Sequence, residues 1–167
     1  MQFLVAWILQ GVWALVVSLP LLLLNATDTS NPSFNALQWT DVIGILAWGL
    51  GFLIETVADF QKLAFKSDPW NKGKFIQTGL WAWSRYPNYF GEMLLWWGIF
   101  LGCSASFHGA EWIAVVSPLF VAFLLLFVSG IPLQERQAQA RWGQDEEYQT
   151  YRARTNLLLP LPRFLKR

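Results

Sequence analysis

Asn88 and Glu92 stand one helical turn apart at the head of an apolar run, Met93 to Leu101. They close the stretch Gly79-Leu80-Trp81-Ala82-Trp83-Ser84-Arg85-Tyr86-Pro87-Asn88-Tyr89-Phe90-Gly91-Glu92. A guanidinium, an amide and a carboxylate are costly to carry into lipid, so at this depth they imply a function. Pro87 suits the first turn of a helix, where its missing N–H costs nothing. With a helix starting near Tyr86, Asn88 and Glu92 are i and i+4 and share a face. The competing reading is an interfacial anchor, with Trp81, Trp83, Tyr86 and Tyr89 in the headgroup belt and Arg85 on phosphate.

A second polar pair lies upstream. Glu55 and Asp59 are also i and i+4. Like charges at that spacing repel, so a bound cation, a donor-rich ligand or an Arg partner is expected beside them. The plainer alternative is a helix already out of the membrane, with both acids solvated. Lys62 and Lys66 continue the same face, and Lys72-Gly73-Lys74 adds positive charge on a turn. Such a segment could hold phosphate groups, or touch anionic lipid. It is not a P-loop, and no G-x-G-x-x-G follows a strand.

The elements that must position these groups read as membrane spans. The 167 residues are 54% hydrophobic and only 14% charged, against about 25% for a soluble domain. The composition predicts an all-α polytopic transmembrane bundle, one membrane unit over residues 1–167. Four spans are expected, over about 3–24, 39–57, 93–107 and 112–130. Phe3 to Leu24 has no charge and lacks the basic start of a signal peptide. Asn25 to Gln38 reads as a polar loop, Phe60 to Thr78 as a polar connection, and His108 to Glu111 as a short turn. Gly44, Gly49 and Gly51 allow close helix approach. Pro118 inside the fourth span is a candidate kink. Residues 133–167 read as a cytoplasmic C-terminal segment: an interrupted helix from Leu133 to Arg154, then an apolar tail too short to span.

Net charge is +1, which does not suggest nucleic acid. The single cysteine, Cys103, excludes an internal disulfide and a cysteine-based metal cluster, and no metal site is expected. His108 reads as a surface loop residue.

All 12 Lys and Arg fall in two segments, Lys62 to Arg85 and Arg136 to Arg167. With four spans, the positive-inside rule places both segments and both termini in the cytoplasm. Glu55, Asp59, Lys66, Arg85, Asn88, Glu92, Glu135, Arg136, Tyr148 and Tyr151 then gather at one membrane face, open to a cytosolic cofactor.

The run at 79–92 closely resembles the motif of the steroid 5-alpha-reductase-like membrane proteins, in particular the bacterial group DUF1295. Glu55-x-x-x-Asp59 with Lys66, and Glu135-Arg136 with Tyr148, Tyr151 and Pro160, resemble the same family, so the likeness covers Trp39 to Pro162. It implies a helical-bundle oxidoreductase of the bacterial inner membrane that acts on CH–CH groups. Such an enzyme binds NADPH at the cytoplasmic mouth and reduces a carbon–carbon double bond conjugated to a carbonyl in a lipophilic, steroid-like substrate. Carried over residue by residue, Asn88 and Glu92 match the family's Asn and Glu at the nicotinamide end. Asp59 matches an acid after the preceding helix. Lys66 and Arg136 stand near the cofactor phosphates. Tyr86 and Tyr89 are the phenols that could give a proton to the carbonyl oxygen. Two departures are visible. Glu55 replaces an Asn of the steroid reductases, and a carboxylate only accepts. Relatives have further spans before the covered region, where this chain has one, so it is a shortened relative, or a homo-oligomer or partner subunit completes the pocket, or it no longer reduces steroid-like substrates.

The same superfamily resemblance includes the isoprenylcysteine carboxyl methyltransferases and phospholipid methyltransferases, which bind S-adenosylmethionine through an Arg-His-Pro-x-Tyr-x-Gly core. This chain has Tyr86 in place of that His. A non-catalytic membrane scaffold is the third expectation.

Overall fold

A computed structural model describes residues 2–26 and 37–161. The fold is all-α: α1 (Gln2–Ala26), α2 (Trp39–Ser67), α3 (Pro87–Ser104), α4 (Val116–Phe123), α5 (Ile131–Trp142) and α6 (Glu146–Arg154). Short 3-10 turns occupy Pro69–Asn71, Gly79–Ala82 and Gly109–Val115, and Leu124–Val128 forms one π-helical turn. Among the described residues, three segments are long and apolar enough to cross a membrane: Phe3–Ala26, Trp39–Ser67 and Gly109–Trp142. Their outward faces carry apolar side chains, including Leu4, Trp7, Ile45, Leu46 and Phe127. That is the arrangement expected where lipid, not water, is the solvent.

Three differences from the sequence reading have physical causes. α2 does not stop at Val57 but runs on to Ser67. Ala58, Gln61, Leu63 and Ala64 are compatible with helix, and Asp59 can support Lys62 at i+3. The Ser67-Asp68-Pro69 sequence then ends it, since a helix rarely continues past the residue before proline. α3 is an 18-residue helix but does not meet the apolar criterion for a span, because Asn88 and Glu92 occupy its first turns. Three segments, rather than four, therefore qualify.

The region 112–130 is not one α-helix. It passes from 3-10 to α to π geometry before breaking at Ser129-Gly130. Pro118 lies in the first turn of α4, directly after the 3-10 segment, where its missing N–H costs least. The interruption expected in the polar C-terminal helix falls at Gly143-Gln144-Asp145, between α5 and α6. Asp145 caps α6 by accepting from Glu147 N at 2.8 Å. Asn25 and Ala26 belong to α1; the rest of the first polar loop, 27–36, lies outside the described residues, as does 162–167.

The chain divides into two compact units. The first is Met1–Gly49 with Met93–Phe123. Its core is Phe100, Cys103, Phe107 and Ala114, with Leu23, Leu24 and Trp97 packed around it. Buried Ser117 donates to the Val17 carbonyl of α1 at 2.9 Å, satisfying a hydroxyl that would be costly alone. Gly44 meets the backbone of Gly98 and Gly102, so α2 and α3 touch there main chain to main chain.

The second unit is Leu50–Glu92 with Leu124–Arg167. Gly91 is its tightest point: a Cβ there would stand 2.6 Å from Glu55 N and 2.7 Å from Gly51 O. The buried indole of Trp81 donates to Ala58 O at 3.0 Å, and Tyr151 Oη donates to Trp81 O at 2.7 Å. Every sequence-predicted site residue lies in this unit.

Candidate functional site

The second half of α2 and the first turns of α3 hold an acidic cluster. Helix periodicity puts Glu55 and Asp59 on one face of α2 and Asn88 and Glu92 on one face of α3. The missing side chain of Gly91 brings the two helices together. Asn88 Nδ2 donates to Asp59 Oδ1 at 3.1 Å. The partner of Asp59 is thus an amide, not the cation, donor-rich ligand or arginine expected beside the Glu55–Asp59 pair. Glu55, Asp59 and Glu92 lie close enough for their charges to repel one another. Asn88 Oδ1 is buried and has no hydrogen-bond partner. An acceptor in that state calls for a donor. Along the exposed side of α2, Thr56, Asp59, Phe60 and Leu63 line an open groove of about 270 Å³.

A second cluster is built on Glu135 of α5. Its Oε1 accepts from Arg85 Nη1 at 2.6 Å and from Tyr86 Oη at 2.8 Å. Its Oε2 pairs with Arg152 Nη2 of α6 at 3.0 Å. The segment after α6 closes over the motif. Arg85 N donates to Asn156 O at 2.9 Å, Asn156 N to Trp83 O at 3.2 Å, and Tyr86 N to Leu157 O at 3.2 Å. Ser84, fully buried, donates to Leu158 O at 2.7 Å. This parallel bridge fixes the backbone immediately before α3.

Tyr89 stands on α3 with its ring stacked on Tyr86, centroids 5.6 Å apart and planes 9° apart. Tyr86 is buried, and its phenol is pushed far above its ordinary value by burial first, then by the hydrogen bond and charge of Glu135. Its proton is held, not offered. Tyr148 and Tyr151 pack on Phe75, with centroids 5.1 and 5.4 Å away. Burial raises both phenols, and Arg85 partly opposes this in each case.

The structure therefore gathers Glu55, Asp59, Asn88 and Glu92 in one cluster. It gathers Arg85, Tyr86 and Glu135 in another. Lys66, in the last turn of α2, and Arg136, on α5, are exposed, and no contact joins either to these clusters. Tyr151 spends its hydroxyl on the Trp81 carbonyl, a packing role. Sequence reasoning missed Arg152, although it lies four residues after Tyr148 on one face of α6. It also missed Gln61, whose Oε1 accepts from Leu80 N at 3.0 Å beneath Gly79. The signal was Gly79 itself, which adopts φ +62, a conformation glycine takes freely. Among the described residues no group of three His, Cys, Asp or Glu could hold a metal ion.

Comparison with curated proteins and with solved structures gives no match. Over residues 1–155 the chain matches the family described as a protein of unknown function, DUF1295, and it belongs to that family.

Proposed function

We propose that this chain is a membrane-embedded, NADPH-dependent reductase of a carbon–carbon double bond conjugated to a carbonyl in a lipid or steroid-like substrate. The observation that carries the reading is Asn88: a half-buried amide whose buried oxygen has no partner, set among three carboxylates. A ring of acceptors with one orphan fits a ligand rich in N–H donors. A nicotinamide carboxamide is such a ligand. Asn88 Oδ1 and the Glu92 carboxylate would accept from it, and Asp59 already holds the other end of Asn88 in place.

The phosphate end would draw on the exposed cations Lys66 and Arg136, which have no ion pair of their own among the described residues. Arg85 is different. Its guanidinium is committed to Glu135, so its role is to hold the Tyr86–Pro87 corner from which α3 departs. When bound, the reduced nicotinamide supplies a hydride to the β carbon of the conjugated system. The residues of this chain orient the ring, exclude water and deliver a proton to the carbonyl oxygen. Of the two candidate phenols, Tyr89 suits that proton better, because Tyr86 is locked onto Glu135. The groove along α2 offers a lipophilic substrate a way in beside Asp59. In this reading α3 makes a fourth crossing despite its polar first turns, so that both termini and the site face the cytoplasm of a bacterial inner membrane, and a second copy or partner subunit completes the pocket.

One observation favours a second reading. Three carboxylates in one cluster also complement a cation, and S-adenosylmethionine carries a sulfonium and an ammonium. The two readings separate in a thermal-shift series on the detergent-solubilised protein. Ligand at about 100 times its Kd should stabilise by about 2.7 kcal/mol. Stabilisation by NADPH and not by S-adenosylmethionine supports the reductase. The reverse supports the methyltransferase, and no shift with either supports a non-catalytic scaffold.

A further inference from the structure

We propose that the turn after α2, carrying Trp70, Lys72 and Lys74, docks into the headgroup layer of an anionic phospholipid leaflet. Trp70 is 85% exposed, the most exposed of the large apolar side chains in the described residues. It does not lie on a helix face. It stands at the tip of the Pro69–Asn71 turn, just beyond the C-terminal end of α2.

The turn is firmly built. Asp68 accepts from Trp70 N at 2.9 Å, and Lys72 N donates to Pro69 O at 3.2 Å. Asn71 Nδ2 donates back to Phe65 O of α2 at 3.1 Å. Gly73, at φ +83, reverses the chain, and its carbonyl accepts from Trp142 Nε1 of α5 at 2.6 Å. A chain fixed this thoroughly holds its indole outward by construction, not by fraying.

The position fits a membrane surface. α2 has 29 residues and rises about 44 Å, close to the ~40–45 Å of a bilayer counted with its headgroup layers. A turn at its end emerges at headgroup level, where Trp side chains concentrate. Lys72 and Lys74 follow the tip, both exposed and without an ion pair among the described residues. The turn's own carboxylate, Asp68, is engaged by Trp70 N and Asn71 Nδ2. An exposed indole followed at once by two exposed ammonium groups complements anionic phospholipid, which draws basic segments to its surface.

The test uses the full chain in nanodiscs of zwitterionic or anionic phospholipid. The emission of Trp70 is obtained as wild type minus Trp70→Phe, and its quenching by acrylamide is compared with that of N-acetyltryptophanamide. We expect Trp70 to be shielded several-fold in anionic nanodiscs and less so in zwitterionic ones. Lys72→Gln/Lys74→Gln should remove the difference between the two lipids. Trp70 emission as accessible as the free indole in both lipids overturns the proposal. So does equal shielding in both lipids, or a double-lysine variant that shields Trp70 as well as wild type does in anionic nanodiscs.

Discussion

Removing the carboxylate of Glu135 should unfasten the backbone on which α3 is mounted. Arg85 and Glu135 are only 14% and 20% exposed at the side chain, so their contact is a mostly buried ion pair. In Glu135→Ala the guanidinium loses its counter-charge, and its Nε already lacks a partner. Breaking a buried pair from one side costs about 3–5 kcal/mol, and residual solvent access reduces that to about 2–4. Arg152 is 47% exposed, so its arm adds no more than about 1 kcal/mol. Tyr86 loses a charged acceptor worth about 1.5–3 kcal/mol, but the same carboxylate serves all three donors and the terms do not add. The working figure is about 3 kcal/mol for Glu135→Ala. Glu135→Gln, which keeps one acceptor oxygen, should lose about half of that. Equilibrium unfolding in mixed micelles, followed by far-ultraviolet circular dichroism, measures both. The double variant Arg85→Ala/Glu135→Ala should be more stable than Glu135→Ala alone, because the orphaned charge is gone. If Glu135→Ala lies within about 0.5 kcal/mol of wild type, the range of ordinary surface changes, Arg85 is not held by this pair and is free to serve a ligand.

Gly91→Ala places a Cβ 2.6 Å from Glu55 N, which is backbone and cannot swing aside; about 1–3 kcal/mol should be lost in the same unfolding assay, and an unchanged stability would mean α2 and α3 do not meet there. The phenols of Tyr86, Tyr148 and Tyr151 are all raised above their ordinary 10.0, so the folded chain holds protons that the unfolded chain releases. Their contribution is intact below about pH 10 and is lost as the pH climbs beyond it. Absorbance near 295 nm should show these phenolates forming late, together with unfolding, rather than in a free-tyrosine titration. With α3 as a fourth crossing, all 12 basic residues fall in two segments on the same side, so a reporter fused after Arg167 should be cytoplasmic. An external reporter would remove access from a cytosolic cofactor.

Local pattern was legible and long-range pairing was not. The uncharged run before Asn25 and the Pro87–Glu92 spacing each announced a helix, and α1 and α3 are there. The end of α2 was misplaced because falling hydropathy at Glu55 marks where apolar surface thins, not where a helix stops. Hydropathy is equally silent on the 3-10, α and π segments of 109–128, which differ in hydrogen-bond register and not in composition. The Glu55–Asp59 spacing suggested a cation, a donor-rich ligand or an arginine beside the two acids, or solvent around both; the group found on Asp59 is the amide of Asn88. That the donor is Asn88, 29 residues away, is set by the closeness Gly91 permits. Glu135 lies 50 residues from Arg85, and nothing in either neighbourhood announces that one carboxylate serves two arginines and a tyrosine.

The most direct test of the proposed site is NADPH affinity in Glu92→Gln. Glu92 sits one turn after Asn88 with its orphan oxygen, and an interfacial anchor has no use for a carboxylate there. The substitution keeps the shape and replaces one of two acceptor oxygens with a donor group, which would face the N–H donors of the carboxamide. Titration of the purified protein in detergent should show NADPH binding weakened by about 1–3 kcal/mol with the unfolding transition little changed. Normal NADPH binding by the variant, or a gain in stability from losing an unneeded intramembrane charge, would contradict the reductase site.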